Sequence, residues 1–246
     1  MKVLHIVGFY PEIGGPFSAL KDLLVKIYQK GVSVKVISPI PKNYDMNKLD
    51  FLKELPYEVV YVREQLPRFI IPSFSLEFLR IIPEEARKHD LIHLNMLYDF
   101  YSIPLNFSKC RLVFSPHGIF MIEAYKMKKI KKFKKDIFMK LVGRNILRNS
   151  LRVHLITQEE KKHFLEFFPE FKDKTVVIPN AIDPEKYKLD EVNDFREKYP
   201  QLKNKKVILY LSRINWKKGL DILIEGFSKI YRERRDLHLV IAGKDD

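Results

Sequence analysis

The stretch Lys2-Val-Leu-His-Ile-Val-Gly8, followed by Phe9-Tyr-Pro-Glu-Ile-Gly-Gly-Pro16 and a helical pattern over 16–30, decides the architecture. A short, mostly apolar run, here interrupted only by His5, is what a strand covered on both faces of a parallel sheet requires. A second apolar run at 32–38 closes a strand–helix–strand unit, and the same alternation continues outward. Further strands are predicted at 58–62, 91–95, 111–115, 152–157, 175–178, 206–212 and 237–242. Helices are predicted at 76–88, 130–149, 158–168 and 219–234. This repetition argues for a doubly wound α/β fold, in which ligands sit in the crevice at the carboxyl ends of the strands.

The 246 residues carry 45 Lys+Arg against 31 Asp+Glu, a net charge of +14, and 46% are hydrophobic. That balance excludes a disordered tail, a collagen-like chain and a small disulfide scaffold. The single cysteine, Cys110, can neither close an internal disulfide nor hold a structural zinc alone, so a reducing compartment is expected. No apolar run approaches the roughly 20 residues of a transmembrane helix, and the first residues are too short a run for a signal-peptide core. The expected location is cytoplasmic. Two prolines frame Ile178-Pro-Asn-Ala-Ile-Asp-Pro184, which places a first domain at 1–178, a linker at 179–185 and a second domain at 186–246. A short polar helix is predicted at 185–198. The second segment has about 60 residues, room for one strand–helix–strand unit, and reads as the start of an incomplete domain.

Three loops at predicted strand ends carry candidate chemistry. Gly14 and Gly15 would let a ligand approach the backbone at the start of a helix, whose N–H groups suit an anion; an ordinary turn is the competing reading. Neither a G-x-G-x-x-G fingerprint nor a P-loop is present. In Ser115-Pro-His-Gly118, His117 faces the crevice and could hydrogen-bond a hydroxyl-rich substrate, or be structural. The remaining histidines form no metal-ligand pattern and read as structural or surface residues. In Ser212-Arg-Ile-Asn-Trp-Lys-Lys-Gly-Leu-Asp221, Arg213 and Lys218 beside a helix start suit a pyrophosphate leaving group; a solvated basic loop is the alternative.

Charge is concentrated in one place. From Lys126 to Arg152 there are eleven basic residues and one acidic, Asp136. Met127, Ile130, Phe133, Ile137 and Leu141 recur at steps of three and four, which predicts an amphipathic helix with an apolar stripe and a basic face. Lys128, Lys129, Lys131, Lys132, Lys134 and Lys135 would meet an anionic membrane surface. A solvated face and a nucleic-acid surface are the other two readings.

Taken in order, Tyr10-Pro-Glu-Ile-Gly-Gly-Pro16, Ser115-Pro-His-Gly118, Val177-Ile-Pro-Asn-Ala-Ile-Asp183 and Ser212–Asp221 resemble glycosyltransferase family four over the whole chain. The resemblance implies the GT-B fold: a Rossmann-like acceptor-side domain followed by a second Rossmann-like domain that binds a nucleotide-sugar, here only its first part. It further implies sugar transfer with retention of configuration and no essential metal, and no Asp-x-Asp pair occurs. Carried over, His117 contacts the transferred sugar as the catalytic-site residue. Arg213 and Lys218 hold the donor pyrophosphate, and Gly14 and Gly15 line the cleft near the donor. The expected acceptor is a glycan or a lipid-linked glycan at the inner face of the cell membrane. Thr157-x-x-Glu160 matches a recurring family motif and reads physically as a helix capping box. The family's later Glu-x7-Glu motif would lie past Asp246, so weak or absent turnover is expected of a chain that ends there. The competing function is a non-catalytic basic module that binds nucleic acid or an anionic membrane.

Overall fold

Val3, Leu4, His5, Ile6 and Val7 are all buried in the computed structural model, as a strand sandwiched between helical layers must be. The structure describes residues 1–8, 10, 14–121, 129–184, 194–215 and 218–244. These fall into two compact units, Met1–Asp183 and Pro184–Asp246, divided inside the segment expected to be a linker.

The first unit is built on seven strands: β1 (Lys2–Val7), β2 (Ser33–Ile40), β3 (Glu58–Arg63), β4 (Leu91–Asn95), β5 (Leu112–Ser115), β6 (Ser150–Leu155) and β7 (Thr175–Val177). They pair in the order β3-β2-β1-β4-β5-β6-β7, each neighbouring pair parallel. Strand order reverses between β1 and β4, which opens a crevice at their carboxyl ends. Helix α1 (Gly14–Gln29) packs Phe17, Leu20 and Leu24 with Val34 and Val36 of β2. Helix α2 (Phe78–Lys88) contributes Phe78 and Ile82 to the core on β1 and β4. Lys26 of α1 also pairs with Asp183 at 3.0 Å, tying down the end of this unit.

The basic segment departs from expectation. Within the described residues it forms α3 (Lys129–Phe138), a π-helical turn Met139–Gly143 and α4 (Arg144–Asn149). Arg152 belongs to β6 rather than to this helix. Phe138 meets the Tyr98 ring at 5.8 Å, and Met139 is buried against Gly143, where a Cβ would collide with its sulfur. Ile146 and Leu147 continue the inward face. With those residues packed, the expected stripe turns outward: Phe133 is 66% exposed, Ile137 43% and Leu141 68%. Met127 and Lys128 lie outside the described residues.

Helix α5 (Gln158–Phe167) then leads to β7. The second unit contains α6 (Asp194–Lys198), the described end of the helix expected over 185–198. It continues with β8 (Lys206–Leu211), α7 (Leu220–Tyr231) and β9 (Leu237–Ala242), and β8 and β9 pair in parallel. No residue of α7 is buried, and Leu209, Leu211 and Ile222 are exposed, because one helix on a two-stranded sheet covers little of either.

Candidate functional site

The register sets Val7 opposite Asn95 and Asn95 opposite Ser115, so the ends of β1, β4 and β5 lie side by side at the crevice. Beyond β5 the backbone turns sharply, with φ of +52° at His117 and +79° at Gly118. The left-handed region suits glycine but costs a residue with a Cβ about 1–2 kcal/mol, so His117 must be held there by its surroundings.

Three contacts hold it. Asn95 donates its amide N–H groups towards the carbonyls of Ile6 (3.4 Å) and His93 (3.3 Å), which turns its Oδ1 to His117 Nε2 at 2.9 Å. Glu160, 2% exposed, accepts the Gly118 N–H at 2.5 Å on one oxygen and the Ile156 N–H at 2.8 Å on the other. Phe120, fully buried, anchors the far side of the turn between Phe164 (5.6 Å) and Phe168 (5.1 Å). The capping box is thus half formed. Thr157 Oγ1 accepts the Glu160 N–H at 3.0 Å, but the glutamate reaches Ile156 and Gly118 rather than the Thr157 N–H.

These bonds define the imidazole. Asn95 Oδ1 only accepts, so Nε2 of His117 carries the hydrogen and Nδ1 presents a lone pair. That Nδ1 is buried and has no hydrogen-bond partner among the described residues. Burial, reinforced by nearby His154, lowers the pKa of His117 to about 4, so the ring is neutral at physiological pH. A buried acceptor without a donor costs free energy and is ready for a hydroxyl. The His117 ring also lies 6.1 Å from that of Phe17, which brings it to the amino end of α1, where Gly14 and Gly15 sit. Gly15 is exposed, and a Cβ there would meet no atom within 4 Å.

A polar row crosses the sheet beneath this site. His5 Nδ1 meets His93 Nδ1 at 3.2 Å, and His93 Nε2 meets Ser115 Oγ at 2.7 Å. Ser115 Oγ meets His154 Nδ1 at 2.9 Å, and His154 Nε2 donates to the Ile178 carbonyl at 2.8 Å. The Ser115 hydroxyl, which can donate once and accept, bridges His93 and His154, so the four groups form one continuous hydrogen-bonded row. His5 Nε2, at the end of the row, is buried and has no hydrogen-bond partner among the described residues. Burial lowers the pKa of His5 to about 3 and that of His93 well below its usual value. These histidines are structural, and they place Ile178 ahead of Pro179.

Arg213 and Lys218 share the β8–α7 loop of the second unit, and both are exposed. Backbone bonds from Ser212 and Ile214 to the carbonyls of Ala242 and Lys244 fasten this loop to the end of β9. Gly219, at φ +63°, turns the chain into α7. Trp216 and Lys217 lie outside the described residues. Among the described residues no group of three or more His, Cys, Asp or Glu is placed to hold a metal ion. Likewise no helix is long and apolar enough to cross a membrane. Sequence reasoning singled out neither Asn95 nor the tertiary role of Glu160. The signal available was position: Asn95 closes a predicted strand, and Glu160 is a carboxylate on a helix facing the sheet.

A seven-stranded parallel sheet with its crevice at β1/β4, followed by a second strand–helix–strand unit, defines an α/β protein of the GT-B type. The family model for Glycosyltransferase Family 4 matches residues 13–186, and that for Glycosyl transferases group 1 matches 191–246. The chain belongs to glycosyltransferase family 4. It is 30% identical over 178 residues to the putative glycosyltransferase YtcC of Bacillus subtilis, covering 66% of this chain and 39% of that protein. The uncharacterized glycosyltransferase MJ1607 of Methanocaldococcus jannaschii is 32% identical over 101 residues, 39% of this chain and 26% of that protein. In structure the chain is similar to Anabaena Alr3699/HepE in complex with UDP (TM-score 0.69, 18% identity, 100% of this chain and 62% of that one). A glycosyltransferase from Rickettsia africae gives a TM-score of 0.65 at 20% identity, over 98% of this chain and 60% of that one. The chain therefore spans less than two thirds of the length of these relatives.

Proposed function

We propose that this chain acts in the transfer of a sugar from a nucleotide-sugar donor to a glycan or lipid-linked acceptor, with retention at the anomeric carbon. The observation that carries the reading is His117: a neutral, half-buried imidazole at the crevice, its Nε2–H committed to Asn95 and its buried Nδ1 without a donor among the described residues. In this role Nδ1 accepts a hydrogen bond from a hydroxyl of the transferred sugar and orients the ring. Arg213 and Lys218 offset the negative charge that grows on the departing nucleotide, assisted by the N–H groups at the start of α7. Gly14 and Gly15 leave room for donor and acceptor beside α1. No metal or other cofactor enters this scheme.

Support for a uridine nucleotide comes from solved relatives in complex with UDP, with UDP and glucose, and with UDP-glucose. The acceptor is presented at the inner face of the cell membrane, in keeping with the basic segment of the first unit. Saturation-transfer NMR of this chain against UDP-, GDP- and ADP-sugars tests the donor assignment. The expected result is a signal for one nucleotide class that disappears in Arg213→Ala and Lys218→Ala. No signal from any nucleotide-sugar, or a signal indifferent to both substitutions, would overturn it.

A further inference from the structure

We propose that a cavity at the outer edge of the first unit's sheet, between β3 and the 3-10 segment Met46–Glu54, binds a neutral sugar residue apart from the crevice. This site does not depend on the donor assignment above.

The cavity has a volume of about 490 Å³, within the roughly 300–1,000 Å³ of small-molecule sites. It lies against β3, the end strand of the sheet, two strands out from β1 and the crevice. Tyr57, Val59 and Tyr61 stand at alternate positions along β3 and its approach, so they share one face and form a wall with two aromatic rings. Leu49 adds apolar surface opposite, beside the exposed polar residues Asn47 and Asp50.

Counting hydrogens leaves one donor over. The Tyr61 hydroxyl donates to the Tyr10 carbonyl at 2.8 Å, and the Tyr10 N–H donates to Ser38 Oγ at 2.7 Å. The hydroxyl oxygens of Tyr10 and Tyr57 lie 2.6 Å apart, and a single hydrogen between them makes that bond. The second phenol hydrogen has no acceptor among the described residues. Tyr10 is fully buried, whereas Tyr57, 7% exposed, lines the cavity. With Tyr10 as donor of the pair, the Tyr57 O–H is left for a ligand there. Burial, reinforced by the charge of Asp22, pushes the Tyr57 hydroxyl up to about 12, so it keeps its hydrogen at physiological pH.

The lining selects the ligand. Tyr57 donates, Asp50 accepts and Asn47 does both, around aromatic and aliphatic walls. A sugar matches this, because its hydroxyls donate and accept while its C–H faces are apolar. An apolar ligand would strand the polar groups without partners. A phosphate would meet Asp50, the one charge among the described lining residues, so the cavity is acidic in a chain of net charge +14.

Saturation-transfer NMR of the full chain with glucose, mannose, galactose and N-acetylglucosamine, and with a trisaccharide of each, tests this. Millimolar binding of at least one neutral sugar is expected. Equal affinity for the single sugar and its trisaccharide assigns the site to free sugar, and tighter binding of the trisaccharide assigns it to a glycan chain; both support the proposal. Asn47→Ala/Asp50→Ala, at exposed positions that leave the fold intact, should weaken binding by about tenfold or more. Tyr57→Phe, which keeps the ring and removes the O–H, should weaken it by about fivefold. Nucleotide-sugar titrations should be unchanged in Asn47→Ala/Asp50→Ala, which separates failure here from failure of the donor assignment. No signal from any neutral sugar, a signal indifferent to Asn47→Ala/Asp50→Ala, or tighter binding of a sugar phosphate at these residues would each overturn the proposal.

Discussion

Glu160→Gln is the most informative single change in the first unit, because one atom is exchanged and the geometry dictates the outcome. Both carboxylate oxygens act as acceptors, one for Gly118 N–H and one for Ile156 N–H, and the side chain is 2% exposed. Glutamine keeps one acceptor and puts an NH2 in place of the other. Whichever way it turns, one backbone N–H faces another N–H in place of the lost oxygen. A hydrogen bond to a charged group contributes about 1.5–3 kcal/mol, and a buried donor left unsatisfied costs about 1–3 kcal/mol more. The expected destabilisation is therefore roughly 2.5–6 kcal/mol, a large share of the 5–15 kcal/mol typical of a domain. The failure also has a place. If Gly118 is the end that loses its partner, the left-handed His117–Gly118 pair loses one of its three restraints, and Asn95 and Phe120 must hold the turn. Guanidinium denaturation followed by far-ultraviolet circular dichroism measures the first effect, and the His117 imidazole resonances report the second. A loss below about 1 kcal/mol with unshifted His117 resonances would refute the reasoning.

Gly15→Ala should change stability by less than about 1 kcal/mol, since the new Cβ meets nothing within 4 Å, yet weaken the nucleotide-sugar signal; parallel melts and titrations check this. Gly118→Ala should cost about 1–2 kcal/mol in the same denaturation assay, from backbone strain at φ +79°, because the nearest atom to its Cβ, Met121 Sδ, lies at an ordinary 3.6 Å. Stability should fall on acidification. His5 and His117 have folded pKa values of about 3 and about 4, below the unfolded 6.5, so the unfolded state binds more protons as pH drops below 6.5. Each contributes a slope approaching 1.4 kcal/mol per pH unit down to its folded pKa, and denaturation midpoints at pH 7.5, 6 and 5 should fall in that order.

Element type was readable along most of the chain because the strands are largely apolar runs of strand length, broken only by an occasional polar residue such as His93 or His238. Leu91–Asn95 and Leu237–Ala242 lie where the pattern puts them, and most other strands differ by one or two residues. The basic helix shows the limit. Two apolar faces one residue apart, Phe133-Ile137-Leu141 and Phe138-Val142, compete in its sequence, and periodicity cannot tell which one finds a partner. Tyr98, from a loop some forty residues away, and the close approach at Gly143 settled it in favour of the second.

For the candidate site, the sequence by itself determined the position of His117 at a strand end, the glycines at a helix start and the cation-bearing loop before another helix, since these are local patterns of residue type. The tertiary structure alone decided the protonation and aim of His117. Asn95 and Glu160, whose oxygens accept from His117 Nε2 and the Gly118 N–H, stand 22 and 42 residues from their partners in the chain, and only the closing of a parallel sheet brings such groups within 3 Å of each other.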